Sequence, residues 1–401
     1  MSFTETEASP AEGASGTQRR SPDYYRTEME YTLGSHFVDG NRVEVLRNGV
    51  EIFPAMLEAI EQAQHSIELV TFVYWTGDIA RRFGYVLSRR AEEGLRVRVV
   101  LDSIGAKKMS RELIDHMSQA GVEIRWFRPL KLWRPWRFDK RTHRKILVCD
   151  DCIGFTGGVG IAEEWEGDAR HPGEWRETHV RVEGPAVIGL YAAFLDNWNE
   201  CGEWRWEAIQ ERVLPHQDGV PIQFVRASST IGWTESAAMM RSLVSVSHVR
   251  LRIVTAYFAP DETLVQTMLG ALARGVEVEI LVPGKYNDSR ISQLAGQPSV
   301  ERLLAAGAKV WVFAPTMLHA KLAIVDDLLA CIGSVNVNHR SMGKDEECSA
   351  LMLSEGVAAT LNRQFDEDCQ RSERLSAEGF QQRSTWTRCK ERAARLLLEQ
   401  V

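Results

Sequence analysis

Two short segments of this chain carry the residue types that could break and form phosphate esters, both with the spacing His-x-Lys-x4-Asp. The candidate catalytic residues in them are His143, Lys145, Asp150, His319, Lys321 and Asp326. Since side chains two positions apart on a strand share a face, the histidine and lysine of each segment point the same way. An imidazole can attack phosphorus or carry a proton, and a lysine supplies positive charge. Each segment therefore offers half of a phosphoryl-transfer site.

Pairs of small residues follow both segments at matching positions, Gly157-Gly158 in the first and Gly333-Ser334 in the second. Small residues let backbone N–H groups approach phosphate oxygens. If the two segments meet around a pseudo-twofold axis, two imidazoles and two ammonium groups converge on one phosphodiester. A single His-x-Lys pair is ordinarily a surface feature, so it is the matched second copy that indicates an active site.

The elements around these segments also occur twice. Residues 67–73 and 251–257 are apolar runs typical of buried strands, and a Val-Thr pair occupies the same place in each. Each run is followed by a further strand pattern, at residues 96–101 and 276–282. Strands that alternate with helices predict two homologous α/β halves, each built around a largely parallel sheet.

Composition and interrupting residues set the predicted boundaries. Residues 1–25 are rich in Ser, Gly and Ala without hydrophobic periodicity, and we expect them to be disordered. The first half is placed at residues 40–212 and the second at 220–370, because Pro215 lies in an interruption between them. Residues 371–401 are expected to form a C-terminal helical tail.

The overall charge disfavours a dedicated nucleic-acid-binding protein. The chain of 401 residues has 48 Lys and Arg against 55 Asp and Glu, a formal charge of −7, whereas phosphate backbones require a basic surface. Its seven Cys are scattered, which is typical of reduced thiols, and Cys149-x-x-Cys152 lacks the second ligand pair of a zinc site. No uncharged apolar run reaches the ~18–20 residues that cross a bilayer. We predict neither a metal nor a cofactor.

The paired motifs resemble those of the phospholipase D superfamily, and their flanks are similar to those of bacterial cardiolipin synthases. The resemblance covers nearly all of residues 40–355. Residues 175–187 and 338–347 are similar to the segments that follow the two motifs in the synthases, and residues 101–105 are similar to another flank. Among the synthases, the chain resembles the shorter subgroup, which has no transmembrane helices. The resemblance implies two phospholipase D-like α/β/α halves with a shared active site at a pseudo-twofold interface.

The resemblance further implies a two-step transfer without metal. His143 would attack phosphorus and form a phosphatidyl-histidine, while His319 would protonate the departing alcohol and then deprotonate the acceptor hydroxyl. The residues that would hold the phosphate are Lys145, Lys321, Gly158, Ser334 and Asn336.

Two glutamates and two aspartates complete the set of site residues that the resemblance implies. Glu177 and Glu347 match the acids that orient each histidine and stabilise its imidazolium form. Asp150 and Asp326 complete the motifs and are expected to support them structurally. The first half departs from the family in two places: Gly160 replaces the usual Asn, and Glu177 replaces an acid that is mostly Asp.

A basic, aromatic stretch precedes the first motif. Residues 126–141 contain three of the twelve Trp, two Phe and six Lys or Arg against one acid. Trp favours a headgroup boundary and Lys or Arg favour anionic phosphate, so this stretch is a candidate for membrane docking. The docking candidates are Trp133, Arg134, Trp136 and Arg137. The alternative is a loop whose Trp side chains pack on the core.

These observations predict a phosphatidyltransferase of the cardiolipin synthase type. The expected substrates are phospholipids, namely phosphatidylglycerol with phosphatidylethanolamine as a second possible donor, and no nucleic acid is expected. The expected location is peripheral, on the cytoplasmic face of the bacterial inner membrane. A hydrolytic phospholipase D would carry the same motifs, and a phospholipase D-type nuclease is the alternative from another class.

Overall fold

The structure is a computed structural model of the chain. It describes residues 18–129, 140–203, 213–228 and 234–381, together with the separate positions 383, 384, 386, 390, 391, 393 and 394.

The first half follows an N-terminal helix, α1, over Pro22–Leu33. Its strands are β1 (Val38–Arg47), β2 (Ser66–Thr71), β3 (Arg96–Asp102), β4 (Glu123–Phe127), β5 (Ile146–Cys149), β6 (Ile153–Gly157) and β7 (Thr178–Glu183). Its helices are α2 (Asn48–Gln62), α3 (Asp78–Glu92), α4 (Arg111–Gln119) and α5 (Val187–Glu200).

The second half repeats this order and adds short elements. Its strands are β8 (Val220–Ala227), β9 (Arg250–Val254), β10 (Phe258–Ala259), β11 (Glu277–Pro283), β12 (Lys309–Phe313), β13 (Leu322–Val325), β14 (Leu329–Gly333), β15 (Val337–Asn338), β16 (Glu347–Leu353) and β17 (Ser372–Arg374). Its helices are α6 (Glu235–Ser245), α7 (Glu262–Ala273), α8 (Arg290–Ala305), α9 (His339–Gly343), α10 (Glu355–Gln370) and α11 (Ala377–Gln381).

Both halves share one sheet of 15 strands in the order β17-β12-β11-β9-β13-β14-β16-β8-β1-β7-β6-β5-β2-β3-β4. The order reads the same outward from the central antiparallel pair of β1 and β8, apart from the extra edge strand β17. Within this sheet β2, β3 and β4 of the first half pair in parallel, as do β9, β11 and β12 of the second, and the other neighbouring strands pair antiparallel. This arrangement confirms the predicted α/β class and the two homologous halves.

Helices cover both faces of the sheet, and strands β2, β5, β13 and β16 are buried along their whole length. Helices α5 and α10 pack on one face over an apolar cluster that includes strands of both halves. On the opposite face, α2, α3 and α4 cover the first half, and α1, α6, α7 and α8 cover the second. The shared cluster makes the halves one packed unit and fixes the angle at which their motifs meet.

The predicted N-terminal disorder is wrong for residues 22–25, which begin helix α1. The Ser21 side chain accepts a hydrogen bond from the backbone of Tyr24, and Pro22 stands at the helix start, where its missing N–H costs nothing. Tyr25 and Met29, four residues apart, are buried against the second half. A capped helix with one apolar stripe is therefore anchored by tertiary packing.

The C-terminal boundary also differs from the prediction. Residues 372–374 form β17, which pairs antiparallel with β12, so the sheet of the second half continues beyond residue 370. Helical structure in the predicted tail begins only with α11. Among the described residues, no helix is both long and apolar enough to span a bilayer.

Candidate active site

Each motif segment is paired with the residues that immediately precede a strand of the opposite half, β16 or β7. A bridge pairs Thr142 with Glu346, and the His143 N–H donates to the Glu346 carbonyl at 2.8 Å. The second half is held in the same way, because Arg176 bridges Leu318 and the His319 N–H donates to the Arg176 carbonyl at 2.8 Å. These paired bridges bring both histidines to the junction of the halves.

The orienting acids are exchanged between the halves. His143 Nδ1 lies 3.1 Å from both carboxylate oxygens of Glu347, which belongs to the second half. His319 Nδ1 lies 2.6 Å from Glu177 Oε2, which belongs to the first. A carboxylate at Nδ1 favours the tautomer with a proton there and leaves Nε2 free to react. The site is complete only when both halves are present.

The motif lysines are buried beside their own histidines. Lys145 Nζ donates to the His143 carbonyl at 2.8 Å, and Lys321 Nζ donates to the His319 carbonyl. Lys321 Nζ also lies 2.7 Å from His319 Nδ1 and 3.1 Å from Nε2. Two ammonium groups and two imidazoles thus occupy one enclosed space, as an anion-binding site requires.

Burial lowers the pKa of all four groups, and repulsion by a neighbouring lysine adds to this effect for His143, His319 and Lys145. Burial and then Lys145 lower the pKa of His143, against the opposing effect of Glu347. Burial, Lys321 and Lys145 lower the pKa of His319 well below its ordinary range. Burial also lowers the pKa of Lys145 to about 7 and that of Lys321 to about 8. At neutral pH both imidazoles are neutral, the form that a nucleophile needs.

The two acids have pKa values shifted in opposite directions. Burial raises the pKa of Glu177. Burial acts on Glu347 in the same direction, but His143, Lys145 and the Ser334 hydroxyl outweigh it and lower its pKa. Ser334 Oγ donates to Glu347 Oε2, whereas the position of a Cβ on Gly158 would overlap the Glu177 carboxylate. The paired small residues therefore contact the acids, with a hydroxyl available in the second half alone.

The presence of Gly160 where the family usually has Asn has a steric cause. A Cβ there would meet the side chains of Val73 and Trp165. In the second half Asn336 keeps the family residue, buried, with its Oδ1 3.5 Å from the Thr255 hydroxyl. An indole ring thus fills the space that an Asn side chain would need in the first half.

The motif aspartates lie at the far ends of β5 and β13 from the histidines. Asp150 accepts backbone N–H bonds from residues 64, 65 and 66 at 2.7 to 2.9 Å. Asp326 accepts three such bonds from residues 248, 249 and 250 at 2.7 to 2.8 Å, and the Tyr25 hydroxyl donates to it at 2.6 Å. Their contacts fix the starts of β2 and β9, which is a structural role.

The docking candidates Trp133, Arg134, Trp136 and Arg137 lie outside the described residues. The ends of their stretch are packed into the first half. Phe127 is fully buried, and the Arg141 guanidinium forms an ion pair with buried Asp102 at 2.9 Å.

Sequence reasoning missed two sets of residues around the site. Trp165 and Trp175 place their rings 5.2 Å from the His319 ring, and Phe72 lies 5.4 Å from the His143 ring. Arg144, between the motif His and Lys, is fully buried and donates to the Ala227 carbonyl of the second half at 3.1 Å. The one sequence signal for a role of Arg144 was that the second motif has Ala at the corresponding position.

Comparison with known families agrees with this geometry. The family described as "Cardiolipin synthase, PLD-like domain" matches residues 56–169 and 240–369, one segment in each half. The chain belongs to this family. The match confirms the predicted superfamily, the internal repeat and the phosphatidyltransferase class of enzyme.

Individual relatives cover most of the chain. Cardiolipin synthase 1 of Bacillus cereus is 31% identical over 376 residues, 91% of this chain and 73% of the relative. The probable cardiolipin synthase YwiE of Bacillus subtilis is 32% identical over 366 residues, 89% of this chain and 71% of the relative. The crystal structure of phosphatidylserine synthase from Haemophilus influenzae Rd KW20 has a TM-score of 0.71 at 15% identity, covering 94% of this chain and all of that one. At that identity the crystal structure supports the fold alone.

Proposed function

We propose that this protein is a cardiolipin synthase-type phosphatidyltransferase that transfers the phosphatidyl group of one phosphatidylglycerol to another through a phosphohistidine intermediate. The observation that carries the proposal is the exchange of acids, since Glu347 orients His143 and Glu177 orients His319 across the two halves. Two oriented imidazoles around one pair of lysines are what a two-step displacement at phosphorus needs.

In the first step His143 Nε2 attacks phosphorus and the bond to the glycerol oxygen breaks. His319 gives its Nε2 proton to that oxygen, so that glycerol leaves as a neutral alcohol. The bound phosphodiester offsets the charge of Lys145 and Lys321, and this raises the pKa of His319 from its low value in the free enzyme. The Glu177 carboxylate 2.6 Å from Nδ1 stabilises the imidazolium form.

In the second step the neutral His319 takes the proton from a hydroxyl of the acceptor lipid. The acceptor oxygen attacks phosphorus, the bond between phosphorus and His143 Nε2 breaks, and cardiolipin leaves. Lys145, Lys321, Ser334, Asn336 and the backbone at Gly158 are assigned to the phosphate oxygens. Water in place of the lipid hydroxyl would yield phosphatidic acid.

We also propose that the protein works at the cytoplasmic face of the inner membrane and reaches lipid from the surface. The composition of residues 126–141 supports this, because Trp and Lys or Arg side chains suit an anionic headgroup layer. Phosphatidylethanolamine is the second possible donor, since it differs from phosphatidylglycerol only in the alcohol that leaves.

Labelled phosphatidylglycerol in vesicles, incubated with the purified chain, tests the reaction. Cardiolipin together with glycerol is expected, at least about 10³-fold reduced in His143→Ala and His319→Ala. The matched control is His36→Ala, whose side chain is 86% exposed and lies outside the site. Phosphatidic acid alone would replace the proposal with a hydrolase, and activity confined to nucleic acid would overturn it.

Vesicle flotation tests the docking stretch. Trp133→Ala with Trp136→Ala is expected to reduce binding to phosphatidylglycerol vesicles while leaving the melting temperature unchanged. Tyr31→Ala removes an aromatic ring that is 88% exposed on α1 and serves as the control. Unchanged flotation of the double variant would reject docking through this stretch.

A further inference from the structure

His179 is a buried histidine that has no role in the transfer steps proposed above. It lies on β7, two residues after Glu177, and is 1% exposed. Within the described part of the chain, neither of its ring nitrogens has a hydrogen-bond partner. A neutral imidazole carries one N–H and one lone pair, and leaving both unpaired in a protein interior is costly. Such a group calls for an explanation in terms of function.

The sheet register places His179 two strands away from Lys145, on the other side of Gly157. Ile146 of β5 pairs with Thr156 of β6, so Lys145 stands opposite Gly157 one position earlier. Gly157 in turn pairs with His179. Gly157 has no side chain, and the position of a Cβ on it would overlap His179 Nδ1. The imidazole therefore lies over the glycine and is directed toward the strand that carries Lys145.

The second half contains the same row with a smaller residue. Leu322 pairs with Ile332, which sets Lys321 opposite Gly333, and Gly333 pairs with Ser349. A cavity of about 10 Å³ is lined in part by Lys321, Gly333 and Ser349, which is room for about one water molecule. The glycine opposite each motif lysine thus leaves a space beside that lysine. In the first half the His179 imidazole fills this space, and in the second half the Ser349 hydroxyl borders it.

Lys145 has hydrogen-bonding capacity to share. An ammonium group has three N–H donors, and one of those of Lys145 goes to the His143 carbonyl at 2.8 Å. A bound phosphate oxygen would take a second. An acceptor on the side of Gly157 would take the third and fix the direction of the other two.

We propose that His179 is a positioning residue, whose unprotonated ring nitrogen accepts a hydrogen bond from the Lys145 ammonium through the gap over Gly157 when phosphate is bound. The inference rests on the proposed function to the extent that Lys145 holds the phosphate there. A neutral acceptor suits this task, because a carboxylate in the same place would compete with phosphate for the positive charge. Burial lowers the pKa of His179 to about 3, so the imidazole stays neutral.

Direct binding of inorganic phosphate to the full chain tests the proposal. His179→Phe keeps an aromatic ring but removes the acceptor, and we expect phosphate to bind at least about tenfold more weakly. His179→Asn places an amide oxygen near the position of Nδ1, and we expect it to restore most of the affinity. If the phenylalanine variant does not fold, His179→Leu takes its place in the same measurement.

Steady-state kinetics with vesicles gives a second readout. His179→Phe is expected to raise KM for phospholipid about tenfold with a smaller change in kcat, and His179→Asn to return KM toward the wild-type value. Ser349→Ala is the matched variant of the second half, expected to change KM by less than about threefold because water can take the place of the hydroxyl.

Equal phosphate affinity in wild-type protein and His179→Phe would overturn the inference, as would an asparagine variant as defective as the phenylalanine one. Its failure is distinguishable from failure of the proposed function, because phosphate binding does not depend on which lipid is transferred. Wild-type protein that makes no cardiolipin, combined with the expected order of phosphate affinities, would remove the proposed function and retain the role of His179.

Discussion

The two motif histidines, His143 and His319, lie in different surroundings. The His143 side chain is 13% exposed and has Phe72 beside it, whereas the His319 side chain is 6% exposed and has two tryptophan rings 5.2 Å away. A nucleophile has to reach phosphorus, while a proton carrier benefits from a site that excludes water. Residues outside the motifs thus give the two histidines different exposure to solvent and different aromatic neighbours, as their proposed roles require.

The acids show the same divergence. Glu347 receives a hydrogen bond from the Ser334 hydroxyl and has a lowered pKa, whereas Glu177 lies against Gly158 and has a raised pKa. A carboxylate with a higher pKa is the stronger base, which suits the partner of the histidine that takes up and releases a proton. The halves are related by duplication and differ in chemistry.

The largest expected effect separates the two histidines. With a phosphatidyl ester of p-nitrophenol, the leaving group departs without a proton, so His319→Ala is expected to retain a labelled phosphatidyl group on the protein. His143→Ala is expected to retain none, since it lacks the attacking nitrogen. Isolation of the denatured protein after a short incubation measures the label. Label on His143→Ala alone would exchange the two roles.

The next effect concerns the crossed acids. We expect Glu347→Gln and Glu177→Gln each to lower kcat by about 10 to 100-fold, because an amide no longer favours the required tautomer or stabilises the imidazolium. Nitrogen chemical shifts of the rings should locate each effect. Glu347→Gln is expected to lower the pKa of His143 and Glu177→Gln to leave it nearly unchanged. The opposite pattern would contradict the exchange of acids.

The lysines predict the pH dependence. Lys145 with a pKa of about 7 and Lys321 with a pKa of about 8 are charged below these values and lose their protons as the pH rises. Since kcat/KM reports the free enzyme, we expect it to fall at least about tenfold between pH 7 and pH 9. Lys145→Arg keeps its charge over this range and should flatten the decrease. A constant kcat/KM up to pH 9 in the wild type would contradict this assignment.

The smallest effect distinguishes the paired small residues. Gly158→Ala places a methyl group where the Glu177 carboxylate lies, so we expect it to lower kcat about tenfold. Ser334→Ala removes one hydrogen bond to Glu347 and is expected to lower kcat about threefold. Steady-state rates on the same vesicles compare the two. A larger loss of kcat in Ser334→Ala than in Gly158→Ala would contradict the expected order.

Much of the fold followed from local patterns. The apolar runs at residues 67–73 and 251–257 predicted β2 and β9, and the strand patterns at residues 96–101 and 276–282 predicted β3 and β11, because burial of a strand is encoded by its own residues. The start of α1 was missed because its apolar stripe is only Tyr25 and Met29, and its stability comes from contacts with the distant second half. Helix propensity is a poor predictor of such a helix, because the stability of the helix comes mainly from tertiary packing.

The sequence by itself determined the site residues that repeat: two histidines and two lysines at fixed spacing, with small residues behind them. Strand periodicity is enough to place a histidine and a lysine on one face. Only the tertiary structure decided that Glu347 serves His143 and Glu177 serves His319, since the members of each pair lie far apart in the chain and meet through the docking of the halves. It likewise decided that Trp165 occupies the space beside Gly160 and that His179 lies over Gly157, across the sheet from Lys145. Local sequence determines which side chains lie on each face of a helix or strand, whereas packing between these elements determines which residues those side chains contact.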